Sequence, residues 1–198
     1  MTSPTINCSG AASRRSVTTI RASPAPRIFS AWSSTGAEKT ATRLVIGIGN
    51  PARGDDAVGR VVARSLKDEV DAEVREHDGE TATLLEWLEH SDAAWLVDAA
   101  SSGAEPGTIH RFDAGSGPLP SIPSRLSTHG VGLADSIELA RTMGCLPGKC
   151  VVFAVEGASF ETGRGLSGTV RSAAREVAAR IRAELADRLE DEDRSGSA

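Results

Sequence analysis

The chain has 198 residues, a formal net charge of -5 and a pI near 5.4. That length suits one α/β domain with tails rather than two full domains. Aromatic residues are 4% and Tyr is missing, which with the acidic balance excludes a nucleic-acid reader built on stacked aromatics. No apolar run approaches the roughly 20 residues of a membrane span. The three cysteines, an odd number, speak against a disulfide framework. These features together describe a cytoplasmic protein.

Residues 1–42 stand apart. They are rich in Ser, Thr, Ala and Pro, and set four arginines (Arg14, Arg15, Arg21, Arg27) against one acid, Glu38. This bias matches an organellar transit peptide, and Arg14-Arg15 superficially matches a twin-Arg signal without the apolar stretch that should follow. The plainer expectation is a disordered extension. The core is expected over 43–186 and an acidic tail over 187–198, carrying Glu190, Asp191, Glu192 and Asp193.

Within the core, Arg43–Ile48 (RLVIGI) reads as a buried strand that runs into a loop with Pro51 and Gly54. A helical period starts at Asp56, with Val58, Val61, Val62, Leu66 and Val70 on one face. Glu73–His77 is a second short strand, and Thr81–Glu89 a helix with Leu84, Leu85 and Leu88 inward. Ala93–Ala99 is a third strand interrupted by Asp98, and Gly107–Phe112 a fourth. The connection between these two is too short for a parallel crossover, so they are expected to be antiparallel neighbours. Residues 114–126 read as a long surface loop, Gly130–Met143 as a helix and Cys150–Val155 as a fifth strand. Ser167 opens a long helix striped by Val170, Ala174, Val177, Ile181, Leu185 and Leu189. Strands alternating with helices predict an α/β fold, its mostly parallel sheet covered on both faces.

In such sheets the working residues lie beyond the carboxyl ends of the strands. Four polar features collect there: the loop Gly47-Ile-Gly49-Asn50-Pro-Ala-Arg-Gly54-Asp55-Asp56, Asp98, His129 in STHGVG, and Asp78-Gly79 after the second strand. Two carboxylates and an imidazole can form an open N/O site for a divalent metal, and the donor types alone do not choose among Zn, Ni, Mn and Fe. Each residue also has an ordinary reading. Asp56 suits a helix N-cap, and His129 a polar turn. Asp98 is harder to dismiss, because an unpaired carboxylate in an apolar strand is costly. Gly47-x-Gly49-x-x-Ala52 loosely fits a dinucleotide fingerprint, but Asp55 and Asp56 would repel the pyrophosphate that the motif should hold. No serine or cysteine shows a paired base.

The segments LVIGIGNPARGDDAVG, HDGET, WLVDA, PGTI, STHGVGLADSIELA and Val155-Glu156-Gly157, in that order, resemble the hydrogenase maturation proteases over about residues 43–185. The resemblance implies a three-layer αβα fold with a five-stranded twisted sheet. It implies an endopeptidase, formally of aspartic type, that trims the C-terminal extension of a [NiFe]-hydrogenase large-subunit precursor. Carried over residue by residue, the family's metal-sensing set falls on Asp56, Asp98 and His129. Its post-strand Asp falls on Asp78, which with Gly79 is expected to contact substrate. Gly47, Gly49 and Asn50 shape the loop. Nickel is expected to arrive on the substrate rather than to reside in the protease. Asp56 or Asp98 is expected to activate water. The protease is expected to act as a monomer. A non-cleaving nickel-binding assembly scaffold is the alternative.

Overall fold

The computed structural model describes residues 42–119 and 132–195. In chain order it contains β1 (Arg43–Ile48), a 3-10 turn (Gly54–Ala57), α1 (Val58–Leu66), β2 (Glu73–His77) and α2 (Thr81–Glu89). These are followed by β3 (Ala93–Ala100), β4 (Ile109–Asp113), α3 (Leu133–Met143), β5 (Lys149–Glu156) and α4 (Gly168–Ser195). The strands form one sheet in the order β2-β1-β3-β5-β4. All neighbours are parallel except β4 and β5, which are antiparallel.

Residue alternation builds the two faces of this sheet. Val45, Trp95, Val97, Phe153 and Val155 point to one side, where α1 and α4 bury Val58, Val62, Leu66, Val170, Val177 and Ile181 against them. Leu44, Ile46, Leu96 and Val152 point to the other, beneath Leu84 and Leu88 of α2 and Leu133 and Ile137 of α3. The central strands β1 and β3 are buried along their whole length. This is why they read as continuous apolar runs rather than alternating ones.

The structure corrects the expected strand order. β4 is antiparallel, but its neighbour is β5 and not β3. The connection after β3 steps over one strand position, a lateral distance of roughly 10 Å at the usual strand spacing. A short loop covers that easily, so its length fixed the direction of β4 but not its place. Helix boundaries also shift. The 3-10 turn holds Asp55 and Asp56 ahead of α1, and Val70 lies beyond the end of α1. The described part of α3 begins at Leu133, capped by Gly132. The backbone of α4 stays helical to Ser195, through most of the segment expected as a tail. None of the described helices is long and apolar enough to cross a membrane.

Candidate active site

The chain leaves β1 toward β2 on one side and returns to β3 on the other, so the crevice at their carboxyl ends is the switch point of the sheet. Close packing brings the loop after β1 over this crevice. A Cβ on Gly47 would stand 2.1 Å from the Gly59 carbonyl oxygen, and one on Gly59 would stand 2.2 Å from that of Val97. The start of α1 therefore rests directly on β1 and β3. Gly49 adopts φ 137°, and a side chain there would strike the Asp56 carbonyl at 1.8 Å. Asn50 closes the loop from within, its Oδ1 accepting the Ala52 N–H at 2.9 Å.

Asp55 and Asp56 are both buried, at 0% and 2% exposure, yet their side chains do different things. Asp55 accepts N–H bonds from Ala158 (2.8 Å), Ser159 (3.0 Å) and Ser167 (2.6 Å). It pins the segment leading into α4 onto the 3-10 turn and is structural. No side chain caps the turn or α1, so the N-cap reading of Asp56 does not describe its carboxylate. Asp56 Oδ2 instead accepts the Asn50 N–H at 3.3 Å, which holds the carboxylate against the loop after β1.

Asp98 is the second acid of the crevice, 2% exposed on the α2–α3 face of β3. Its Oδ1 accepts the Ala99 N–H at 2.8 Å, while Oδ2 is buried with no hydrogen-bond partner among the described residues. Burial pushes its carboxyl well above the ordinary 3.8, and the negative charge of nearby Asp56 pushes the same way. One bond from Ala99 opposes both without overcoming them. Asp98 thus favours its proton. A cation that displaced this proton would find Oδ2 without a competing partner among the described residues, so the oxygen donors fit a divalent metal.

The remaining predicted residues divide. His129 lies outside the described residues, and no group of three metal-binding side chains occurs among those described. Asp78 is exposed after β2, where its Oδ1 accepts the Glu80 N–H at 3.2 Å. Gly79 adopts φ 97° and donates its N–H to His77 Nδ1 at 2.8 Å. Glu80 caps α2 through the N–H groups of Ala82 and Thr83, both at 2.8 Å. The Thr83 side chain, together with these N–H groups, holds its carboxyl down at about 2. Burial pushes the Cys150 thiol up to about 12 and raises that of Cys145, so neither offers a ready thiolate.

Sequence reasoning assigned no role to Glu156 or His77. Glu156 ends β5, 2% exposed, and accepts the N–H groups of Ser102 (2.6 Å) and Gly103 (2.8 Å) and the Ser102 hydroxyl (2.9 Å). It locks the loop that carries the chain from β3 to β4. A charged residue ending an apolar strand was the available signal. His77 packs edge-on against Trp87, with ring centroids 5.0 Å apart, and its carbonyl accepts the Gly49 N–H at 3.1 Å.

Comparison with known proteins agrees with this architecture. The chain is 32% identical over 122 residues to the hydrogenase expression/formation protein HupD of Rhodobacter capsulatus, a match that covers 60% of this chain and 58% of that relative. It superposes on the [NiFe] hydrogenase maturation protease HycI of Thermococcus kodakarensis KOD1 with a TM-score of 0.59 and 25% identity, covering 75% and 94% of the two chains. The hydrogenase maturating endopeptidase HybD of E. coli gives a TM-score of 0.59 and 27% identity, covering 74% and 93%. The sequence model of the hydrogenase maturation protease family matches residues 62–184, which include Asp78 and Asp98 but begin after Asp56. With that match over more than half its length, the chain belongs to the hydrogenase maturation protease family.

Proposed function

We propose that this protein is an endopeptidase that removes the C-terminal extension of a nickel-loaded [NiFe]-hydrogenase large-subunit precursor. The observation that carries this reading is the Asp56–Asp98 pair at the switch point of the sheet, with one Asp98 oxygen buried and unpartnered. Such an oxygen is expensive to keep unless something binds it. A metal presented by the substrate is a fitting visitor. Asp56, Asp98 and His129 would face it, and it would supply positive charge that offsets the burial of Asp98.

The chain's own residues supply the acid–base chemistry. Peptide hydrolysis needs a base to take a proton from water and an acid to protonate the leaving nitrogen. Two carboxyl groups whose surroundings separate their proton affinities can divide those roles. Until the substrate's metal arrives, Asp98, buried and beside a negative charge, holds its proton, which is then available to the leaving nitrogen. Asp56 is its partner in the crevice, held to the loop after β1 by the Asn50 N–H. Because the metal travels with the substrate, cleavage is tied to metal loading.

The test mixes the full chain with nickel-loaded and nickel-free precursor and reads the products by mass spectrometry. Release of a C-terminal peptide from the loaded form alone is expected. Cleavage of neither form overturns the reading.

A further inference from the structure

Asp98 is not alone in carrying an orphaned buried atom. His110 Nε2, on edge strand β4, is also buried without a hydrogen-bond partner. The sheet register puts the two residues in one row, because Asp98 pairs with Ala154 of β5, and Ala154 pairs with His110 of β4. Residues paired in this way point to the same face. That face is also set by Phe112, on which the His110 ring stacks with centroids 6.2 Å apart and planes 9° from parallel. The residue between the two polar groups is an alanine, and around it pack Ala100, Ala134 and Phe112. The middle of the row is therefore lined by alanine methyl groups and the Phe112 ring, none of which can satisfy a polar atom.

Two strand spacings separate the Asp98 and His110 backbones by roughly 9.6 Å. A bridging water with two bonds of ~2.8 Å at a near-tetrahedral angle spans about 4.5 Å. The remaining ~5 Å is within the combined reach of an aspartate and a histidine side chain. One water accepting from or donating to both atoms would satisfy two groups that are otherwise costly to bury.

We infer that His110 is a positioning residue of the active site, joined to Asp98 Oδ2 through a single water held over Ala154. It fixes the orientation of the Asp98 carboxyl in the substrate-free protein, with Oδ1 held by Ala99 and Oδ2 held by a water that the substrate's metal would displace. This inference rests on Asp98 being a site residue, but its main test does not require cleavage.

The experiment uses the full chain with nitrogen-15 histidine and records the imidazole signals by NMR at one fixed pH. The chain has four histidines, and His110→Phe, which keeps a ring on Phe112, identifies the His110 signals. Asp98→Asn is expected to move the His110 nitrogen signals more than those of exposed His90. Ala154→Val, which fills the middle of the row without altering either polar group, is expected to move them too. His110 signals that ignore Asp98→Asn overturn the inference. Signals that respond to Asp98→Asn but ignore Ala154→Val overturn the shared water. In the cleavage assay, His110→Phe is expected to lower kcat about 10-fold at unchanged KM, with partial rescue by His110→Gln. A cleavage assay that fails for the unmodified chain while the NMR response persists removes the proposed function and leaves this inference standing.

Discussion

Two neighbouring parts of the molecule treat buried acid in opposite ways. In the clamp region, Asp55 and Glu156 are as buried as any residue of the core, and each takes three donated hydrogen bonds from a loop. In the crevice, Asp98 is equally buried, takes one such bond and leaves an oxygen unpartnered among the described residues. Burial alone does not separate a structural carboxylate from a functional one. The degree to which its oxygens are satisfied sets Asp98 apart from Asp55 and Glu156.

The sharpest way to break this comparison is Asp98→Asn. It should lower precursor processing by at least ~100-fold, as loss of an acid–base group does. It should also raise the stability of the fold. The carboxyl of Asp98 binds its proton more tightly when folded than when unfolded. The folded state therefore carries the extra proton, and stability falls as pH rises from the ordinary 3.8 through the raised folded value. The variant lacks that fall. Thermal melts from pH 4 to 8 should show its advantage over the unmodified protein growing toward the upper end. A variant that loses both activity and stability would place Asp98 with the clamps.

Asp55→Ala should do the reverse. Three part-buried N–H groups would lose their acceptor, at a cost of up to about 3 kcal/mol. Urea unfolding should report this as a shifted midpoint at an unchanged slope. Processing by the fraction that remains folded should persist, because Asp55 faces the 158–167 segment and not the crevice.

The smallest effect belongs to Glu80, which is satisfied like a clamp but lies exposed. Its folded carboxyl sits at about 2 against an ordinary 4.5. Its contribution is thus complete above 4.5 and disappears as pH falls toward 2. Glu80→Ala should melt slightly below the unmodified protein at pH 7, and the gap should close near pH 2. A gap that persists in acid would assign the loss to something other than this cap.

What could be read from the sequence follows the range of the interactions involved. β1, β2 and α2 were legible to the residue, because an apolar run, a short alternation and a leucine spacing are local patterns. Asp98 was legible because an acid in an apolar strand is conspicuous wherever the strand is placed. The position of β4 was not, since loop length constrains direction but not which strand intervenes. Nor were the separate duties of Asp55 and Asp56, which depend on a segment a hundred residues away in the chain. His110 became visible only through sheet register. His129, read as the third donor, lies outside the described residues.

The placement of β5 between β3 and β4 has a consequence for how the chain is made. Synthesis delivers β4 before the strand it pairs with. Until residues 149–156 emerge, β3 has one open edge and β4 has two, and both are templates for pairing with another chain. The Asp98 row is assembled in the same late event, because Ala154 is its middle member. A nascent chain stopped before β5 therefore has neither a closed sheet nor a finished crevice, so a working site and a finished sheet appear together.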